Sequence, residues 1–118
     1  MIIKIEAIVR SERIEDVKDA LHAIQVNGIT VSQVMGYGQQ RGYMEVVRGT
    51  QVDVQMVPKV KFEIVASSEE WEAKTIDAIQ KAAYTGHIGD GKIFSYEIRT
   101  AMKIRTKETG YDAIQEQE

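Results

Sequence analysis

The sequence contains no cysteine, and this single absence excludes several kinds of site. Disulfide bonds, thiolate metal sites and a cysteine nucleophile all require the missing side chain. Pro58 is the only proline and no low-complexity tract interrupts the chain, so we expect no interdomain linker. No apolar run at the N-terminus is long enough for a signal peptide or a membrane span, which predicts a cytoplasmic protein.

An excess of charge of one sign is also missing. The formal net charge is -3 and the signs are interspersed, which argues against a nucleic-acid partner. A chain of 118 residues can form one domain that buries roughly two-thirds of the surface exposed by its unfolded state. We therefore predict one domain over residues 1–118, ending in a polar, acidic tail at about 107–118.

The first half of the chain has the pattern of strand, helix, strand. The segment IKIEAIVR at 3–10 alternates apolar and polar residues, as a strand with one buried face does. From Ile14 onward apolar residues recur at helical spacing, and Asn27 and Gly28 are the predicted stop. The segment ITVSQVMGYG at 29–38 predicts a second strand.

The second half repeats this pattern. The segment PKVKFEIVA at 58–66 alternates most regularly. Ser67 and Glu70 then have the spacing of a capping box, which predicts the start of a second helix. A glycine-rich turn and the strand KIFSYEIR at 92–99 follow. The order predicts an α+β fold, a ferredoxin-like βαββαβ antiparallel sheet with both helices on one face.

Two features do not fit a lone domain of this kind. The segment between Gly38 and Pro58 is too long for a hairpin turn, and long loops in compact domains are usually functional or disordered. Ile8 and Ile93 are expected to point away from the helices, so the sheet would leave apolar residues uncovered. Oligomerisation would cover them.

The stretch TGHIGDGKIF at 85–94 combines three glycines with a lysine. Gly86 to Lys92 has the spacing of a Walker A loop, but Ile93 stands where the magnesium-binding hydroxyl belongs and a strand follows instead of a helix. Glycines still let main-chain N–H groups approach an oxyanion closely. A different fold using the same phosphate chemistry remains one reading, and a tight connection without a ligand is the other.

These segments resemble one family. GYGQQRG at 36–42, PKVKFEIV at 58–65 and TGHIGDGKIF at 85–94 occur in the order and spacing of the PII signal-transduction proteins, and the last is similar to their signature T-x-x-x-G-D-G-K-I-F. The resemblance implies a ferredoxin-like homotrimer that binds ATP or ADP between subunits. It also implies a long T-loop, here at about 37–57, that contacts a partner.

The resemblance further implies a nucleotide site, position by position. Gly89, Asp90, Gly91 and Lys92 resemble the phosphate-binding loop, and Lys103 and Arg105 resemble the basic pair that reaches the phosphates from the neighbouring subunit. The residues implied around the nucleotide besides these are Thr30, Gly36, Gly38, Glu63 and Val65.

The T-loop residues imply further ligands and partners. Gln40 resembles a glutamine that holds magnesium, with bound ATP, and 2-oxoglutarate, and Lys59 resembles a lysine that pairs with a carboxylate of that keto acid. Tyr43 and Arg48 are the expected partner contacts, Arg48 resembling the arginine that plugs an ammonium channel. Val52 stands where many bacterial members carry a uridylylated tyrosine, so that modification is excluded at this position.

The function expected is adenine-nucleotide sensing that regulates a transporter or a metabolic enzyme, with recruitment to the membrane by a transporter. No enzymatic activity is expected. Two alternatives from other classes are a small ferredoxin-like phosphohydrolase and a trimeric scaffold whose nucleotide site has decayed. The phosphohydrolase lacks an obvious catalytic constellation, because Asp90 is as easily a turn residue as a base.

Overall fold

A computed structural model describes residues 1–38, 45–47, 50–52 and 55–115 of the chain. Its strands are β1 (Ile3–Arg10), β2 (Ile29–Gly38), β3 (Glu45–Val47), β4 (Thr50–Val52), β5 (Gln55–Ala66) and β6 (Lys92–Glu97). Its helices are α1 (Ile14–Ala23) and α2 (Glu69–Ala83), and short 3-10 segments cover Ser11–Arg13 and Gly110–Ile114.

The main sheet has the order β2-β5-β1-β6, and every neighbouring pair is antiparallel. Each helix links two strands that have a third strand between them, which is the ferredoxin-like arrangement. The predicted α+β fold is confirmed. β3 and β4, which come between β2 and β5 in chain order, form a separate two-stranded sheet.

One face of the sheet carries the core. Alternate residues of β1 and β5 are buried, because successive side chains of a strand point to opposite faces. They pack against α1 and α2, and the twelve buried apolar residues in the described part of the chain are Ile3, Ile5, Ala7, Val9, Val17, Leu21, Val60, Phe62, Ile64, Ala66, Ile79 and Ala83. The other face carries charged pairs, among them Lys4 with Glu63 at 2.7 Å.

Ile93 lies on the helix face, so its predicted outward orientation is wrong. The register of β1 and β6 sets Ile93 opposite the buried Ala7, and Ile93 packs against the core. Ile8 lies opposite Lys92 on the other face, as expected. Phe94 and Tyr96, which alternate with Ile93 on β6, are about half exposed on that face.

The helix boundaries differ from the predicted ones by a few residues. α1 ends before Gln25, whose φ of 67° is left-handed, and the N–H groups of Gln25 and Val26 donate to the carbonyls of His22 and Leu21. This is a Schellman motif without the usual glycine, so the stop predicted at Asn27 and Gly28 is wrong. The N-cap of α2 is Ser68 and not Ser67, because the Ser68 hydroxyl accepts a hydrogen bond from the main-chain N–H of Trp71 at 3.1 Å.

The strand after the predicted T-loop is longer than the pattern indicated, whereas the strand before it has the predicted bounds. β5 begins at Gln55 instead of Pro58, and β2 pairs with it from Ile29 opposite Ile64 to Gly38 opposite Gln55. Paired strands therefore extend into both ends of the predicted 37–57 segment. No helix in the described part of the chain is both long and apolar enough to cross a membrane.

Candidate functional site: the glycine-rich turn

The turn between α2 and β6 depends on glycine for its path. Gly86, Gly89 and Gly91 have φ angles of 88°, 107° and 101°, which L side chains rarely adopt. Gly91 is also pressed against β1, because a Cβ atom built on it would lie 1.7 Å from the carbonyl oxygen of Ile8. No other residue fits at this position.

The Asp90 carboxylate braces the turn from inside. It accepts hydrogen bonds from the main-chain N–H of Thr85 at 2.8 Å, the N–H of Gly86 at 2.9 Å, the hydroxyl of Thr85, and Nε of Arg10 at 3.0 Å. Desolvation pulls the pKa of Asp90 upward, but these hydrogen bonds outweigh it and hold the pKa well below its usual range. The carboxylate is therefore ionised and fully engaged in the turn.

Two cations hold the carbonyls of the turn. Arg10 Nη2 donates to the carbonyl of Ile88 at 2.8 Å, and Lys59 Nζ donates to the carbonyl of Gly89 at 2.6 Å. Lys59 is buried, with 6% of its surface exposed, and burial followed by repulsion from Arg10 lowers its pKa. Gly36 on β2 leaves room for the Lys59 stem, since an added Cβ would lie 3.2 Å from its Cγ.

The orientation of these carbonyls fixes that of the N–H groups that follow. In a planar trans peptide the C=O and the next N–H point in opposite directions. The N–H groups of Gly89 and Asp90 consequently point away from Arg10 and Lys59. Successive N–H groups presented in this way, with the exposed Lys92 beside them, form an arrangement suited to an anion.

Arg10 was not among the residues that the sequence singled out. Its position at the end of an alternating strand is typical of a solvated charge, yet its side chain is only 16% exposed. Its role depends on the turn crossing the end of β1, about 80 residues later in the chain. A long-range contact of this kind leaves no periodic signal in the sequence.

Three of the implied adenosine residues lie at the other end of the sheet, whereas the fourth, Gly36, lies beside Lys59. Thr30 and Glu63 are cross-strand partners on β2 and β5, and Val65 follows on the same face with 41% of its surface exposed. Glu63 is paired with Lys4, whose hydrogen bond lowers the pKa of Glu63. Lys59 and Val65 are six residues apart on β5, about 20 Å along the strand.

The implied basic pair lies on a C-terminal loop closed by a bridge between Met102 and Thr109. Arg105 is exposed and the neighbouring Ile104 is 95% exposed. Lys103 Nζ lies 3.9 Å from a carboxylate oxygen of Glu108. The shape of the loop is thus set by its own residues.

The remaining predicted site residues lie at the end of β2 and in the segment that follows it. Gly38 ends β2 opposite Gln55. Gln40, Tyr43 and Arg48 lie outside the described residues, so the magnesium, keto acid and partner contacts expected of them stay predictions. Within the described residues, no cluster of three or more His, Asp or Glu side chains could hold a metal ion.

Fold and turn together define a class: a ferredoxin-like α+β protein whose glycine turn presents main-chain N–H groups beside a lysine. The chain matches the model of a family described as nitrogen regulatory protein P-II over residues 2–108. It is 50% identical to the nitrogen regulatory protein P-II of Rhodospirillum rubrum over 111 residues, 94% of this chain and 98% of that protein.

Solved structures agree with this match. Arabidopsis thaliana PII bound to citrate has a TM-score of 0.75 and 38% identity, covering 95% of this chain and 91% of that one. B. subtilis GlnK has a TM-score of 0.77 and 34% identity, covering 96% and 98%. The chain belongs to the PII signal-transduction family, whose members are regulators that sense ligands and act on partner proteins.

Proposed function

We propose that this PII protein senses adenine nucleotides and that its glycine-rich turn holds their phosphates. The observation that carries the proposal is the braced turn, in which Arg10 and Lys59 hold carbonyls so that the N–H groups of Gly89 and Asp90 point away from them. Gly91 and Lys92 complete the phosphate site. Asp90 contributes its N–H group, while its carboxylate stays engaged with Thr85, Gly86 and Arg10.

The rest of the nucleotide site comes from a neighbouring subunit of a homotrimer. Thr30, Glu63 and Val65 lie at the far end of the sheet from the turn, which favours a cleft formed by two chains over a site within one chain. Lys103 and Arg105 reach the same phosphates from the neighbouring loop. Gly36 and Gly38 line the end of the cleft nearer the turn.

The T-loop, at about 37–57, carries the output. Nucleotide binding regulates a partner only if the nucleotide prefers one loop conformation over another. Gln40 holds magnesium with bound ATP, and 2-oxoglutarate binds beside it with a carboxylate on Lys59. Since Lys59 also holds the Gly89 carbonyl, the keto acid and the nucleotide phosphates would share one cation.

The partner is a membrane transporter, such as an ammonium channel, or a metabolic enzyme. Tyr43 and Arg48 make the contact, and a transporter recruits this otherwise cytoplasmic protein to the membrane. The citrate reported for the Arabidopsis relative supports a site able to accept a polycarboxylate. The regulator has no catalytic residues of its own.

Calorimetric titration with ADP and with MgATP, each with and without 2-oxoglutarate, tests the proposal. Both nucleotides should bind with micromolar affinity, about -8 kcal/mol. Lys92→Gln should weaken each by about tenfold or more, since a charge-assisted hydrogen bond contributes roughly 1.5 to 3 kcal/mol. The control Lys18→Gln removes an exposed lysine of α1 and should bind like the wild type.

Each result decides a separate part of the proposal. A keto acid effect confined to MgATP supports Gln40 and Lys59 as ligands, and its absence leaves a sensor of the two nucleotides alone. No binding of either nucleotide contradicts the sensor and leaves the trimeric scaffold. Sustained phosphate release from ATP that Lys92→Gln abolishes would instead establish the phosphohydrolase.

A further inference from the structure

Arg10 contacts both the Asp90 carboxylate and a main-chain carbonyl of the turn, and no other side chain among the described residues does so. Its Nε donates to the Asp90 carboxylate at 3.0 Å, while its Nη2 donates to the Ile88 carbonyl at 2.8 Å. The planar guanidinium joins both with one rigid group. Arg10 therefore fixes the Asp90 side chain relative to the peptide between Ile88 and Gly89.

That peptide decides where the N–H of Gly89 points. Gly89 has a φ of 107° and no side chain, so little in the residue itself prevents the peptide from rotating. The hydrogen bond from Arg10 to the Ile88 carbonyl opposes this rotation. Because carbonyl and N–H are opposite across a trans peptide, the same bond directs the Gly89 N–H away from Arg10.

The placement of Arg10 sets two cations side by side in the sheet. The register of β1 and β5 makes Arg10 and Lys59 direct cross-strand partners, and like charges in such a pair destabilise a sheet. Arg10 is the main charge that lowers the pKa of Lys59 after burial. Both cations are nevertheless directed at the turn, which favours a role at the ligand site.

We propose that Arg10 is a positioning residue of the phosphate site, acting through the Ile88–Gly89 peptide and Asp90 without touching the ligand. The inference rests on the proposed nucleotide function and extends it to a residue on β1. It predicts that phosphate binding depends on the two N–H donors of the planar guanidinium as well as on its positive charge. A lysine supplies the charge but only a point donor.

The test compares Arg10→Gln and Arg10→Lys with the control Arg13→Gln, an arginine three residues away that pairs with Asp16 instead of the turn. Calorimetry measures ADP affinity. NMR of the ¹⁵N-labelled full chain follows the Gly89 amide during titration with pyrophosphate alone. Chemical denaturation of the ligand-free protein measures stability separately.

Arg10→Gln should weaken ADP binding by about tenfold and Arg10→Lys by about threefold, as expected for lost charge-assisted hydrogen bonds. In Arg10→Gln the Gly89 amide should no longer respond to pyrophosphate, while in Arg13→Gln it responds as in the wild type. Unchanged ADP affinity in both Arg10 variants overturns the inference. So does a wild-type Gly89 response in Arg10→Gln, because weakened binding would then reflect stability alone.

Failure of the proposed function gives a different result. If the wild type binds no ADP but its Gly89 amide responds to pyrophosphate in an Arg10-dependent way, the positioning role stands and the nucleotide assignment falls. If the wild type binds no ADP and its Gly89 amide does not respond to pyrophosphate, the positioning role and the nucleotide assignment are both wrong; ADP binding without that response overturns the positioning role alone. Should Arg10→Gln fail to fold, Arg10→Lys decides by the same two measurements.

Discussion

Two segments carry the residues proposed to hold phosphate, and they are built differently. The glycine-rich turn at 84–91 is tied to strands far away in sequence, through Arg10 on β1 and Lys59 on β5. The C-terminal loop at 102–109 is closed by its own residues, with the N–H of Lys103 bonded to the carbonyl of Glu108 at 2.9 Å. One segment has a shape set by the sheet, and the other has a local shape with an exposed Arg105 and a largely buried Lys103 side chain.

The difference indicates which part of a site between subunits each chain can supply. The turn is complete within one chain, so its N–H groups are oriented before any ligand arrives. In the proposed site, the exposed Arg105 would reach phosphates held by the turn of a neighbouring chain. Substitutions in the turn should therefore affect folding as well as binding, whereas substitutions in the loop should affect binding alone.

The largest effect is expected for Gly91→Ala, which tests whether the sheet sets the shape of the turn. The new Cβ would lie 1.7 Å from the Ile8 carbonyl oxygen at a φ of 101°, so either β1 or the turn must move. We expect a loss of more than about 4 kcal/mol in the free energy of unfolding, measured by urea denaturation.

The matched control is Gly28→Ala, since nothing lies within 4 Å of the Cβ that it would add. Its stability should change by less than about 1 kcal/mol. A Gly91→Ala protein as stable as the control would mean that the turn adapts freely. The contrast between the two segments would then be lost.

The next effect concerns Asp90, whose carboxylate accepts four hydrogen bonds. Asp90→Asn keeps the shape but removes the charge and one acceptor oxygen, which should cost about 3 kcal/mol in the free energy of unfolding. Asp77→Asn is the control, because Asp77 is an exposed helix carboxylate paired with Lys81. Its expected cost is about 0.5 kcal/mol.

The pH dependence separates charge from packing. Because the pKa of Asp90 is lowered below 3.8 in the folded state, its contribution is present above that value and is lost as pH falls below it. The stability difference between wild type and Asp90→Asn, followed from about pH 6 to about pH 3, should shrink at the acid end. A difference independent of pH would assign the effect to packing.

The sequence was sufficient to predict the topology, because alternation over 3–10 and 58–66 and the helical spacing after Ile14 are strong periodic signals. It was insufficient for Ile93, since a strand next to glycines has no pattern that fixes its face. It also missed Gln25, because left-handed helix ends usually carry glycine and Gly28 was the nearest one.

The candidate site was likewise predictable where the signal was local and unpredictable where it depended on distant residues. Glycine positions in the turn were predictable, since bare main chain beside a lysine is a local signal. The roles of Arg10 and Lys59 were not, because both depend on a turn that meets β1 and β5 far along the chain. Asp90 as part of the phosphate-binding loop stays a prediction, and the hydrogen bonds that its carboxylate accepts within the turn were not predicted.

A smaller effect, on binding alone, is expected for the C-terminal loop. Arg105→Gln should weaken ADP binding by about 2 kcal/mol and leave the stability of the ligand-free protein unchanged, because the side chain is exposed. Mixing Lys92→Gln and Arg105→Gln subunits tests the division directly. Mixed oligomers restore sites with both wild-type residues only if the two residues come from different chains. Calorimetry that finds no recovery in the mixture would place them in the same chain.

The smallest effect is expected for Glu108→Gln, the carboxylate of the loop that corresponds to Asp90 of the turn. Glu108 is 47% exposed, lies 3.9 Å from Lys103 Nζ, and accepts a hydrogen bond from the Thr106 hydroxyl at 2.7 Å. The Lys103 side chain is only 9% exposed, but the pair is separated by 3.9 Å and Glu108 keeps contact with water, so the free energy of unfolding should change by less than about 0.5 kcal/mol. ADP affinity measured by calorimetry should stay equal or rise slightly, since Lys103 loses a competing anion. A stability loss comparable to that of Asp90→Asn would show that the loop is also held by a buried carboxylate network, and the two segments would then be alike.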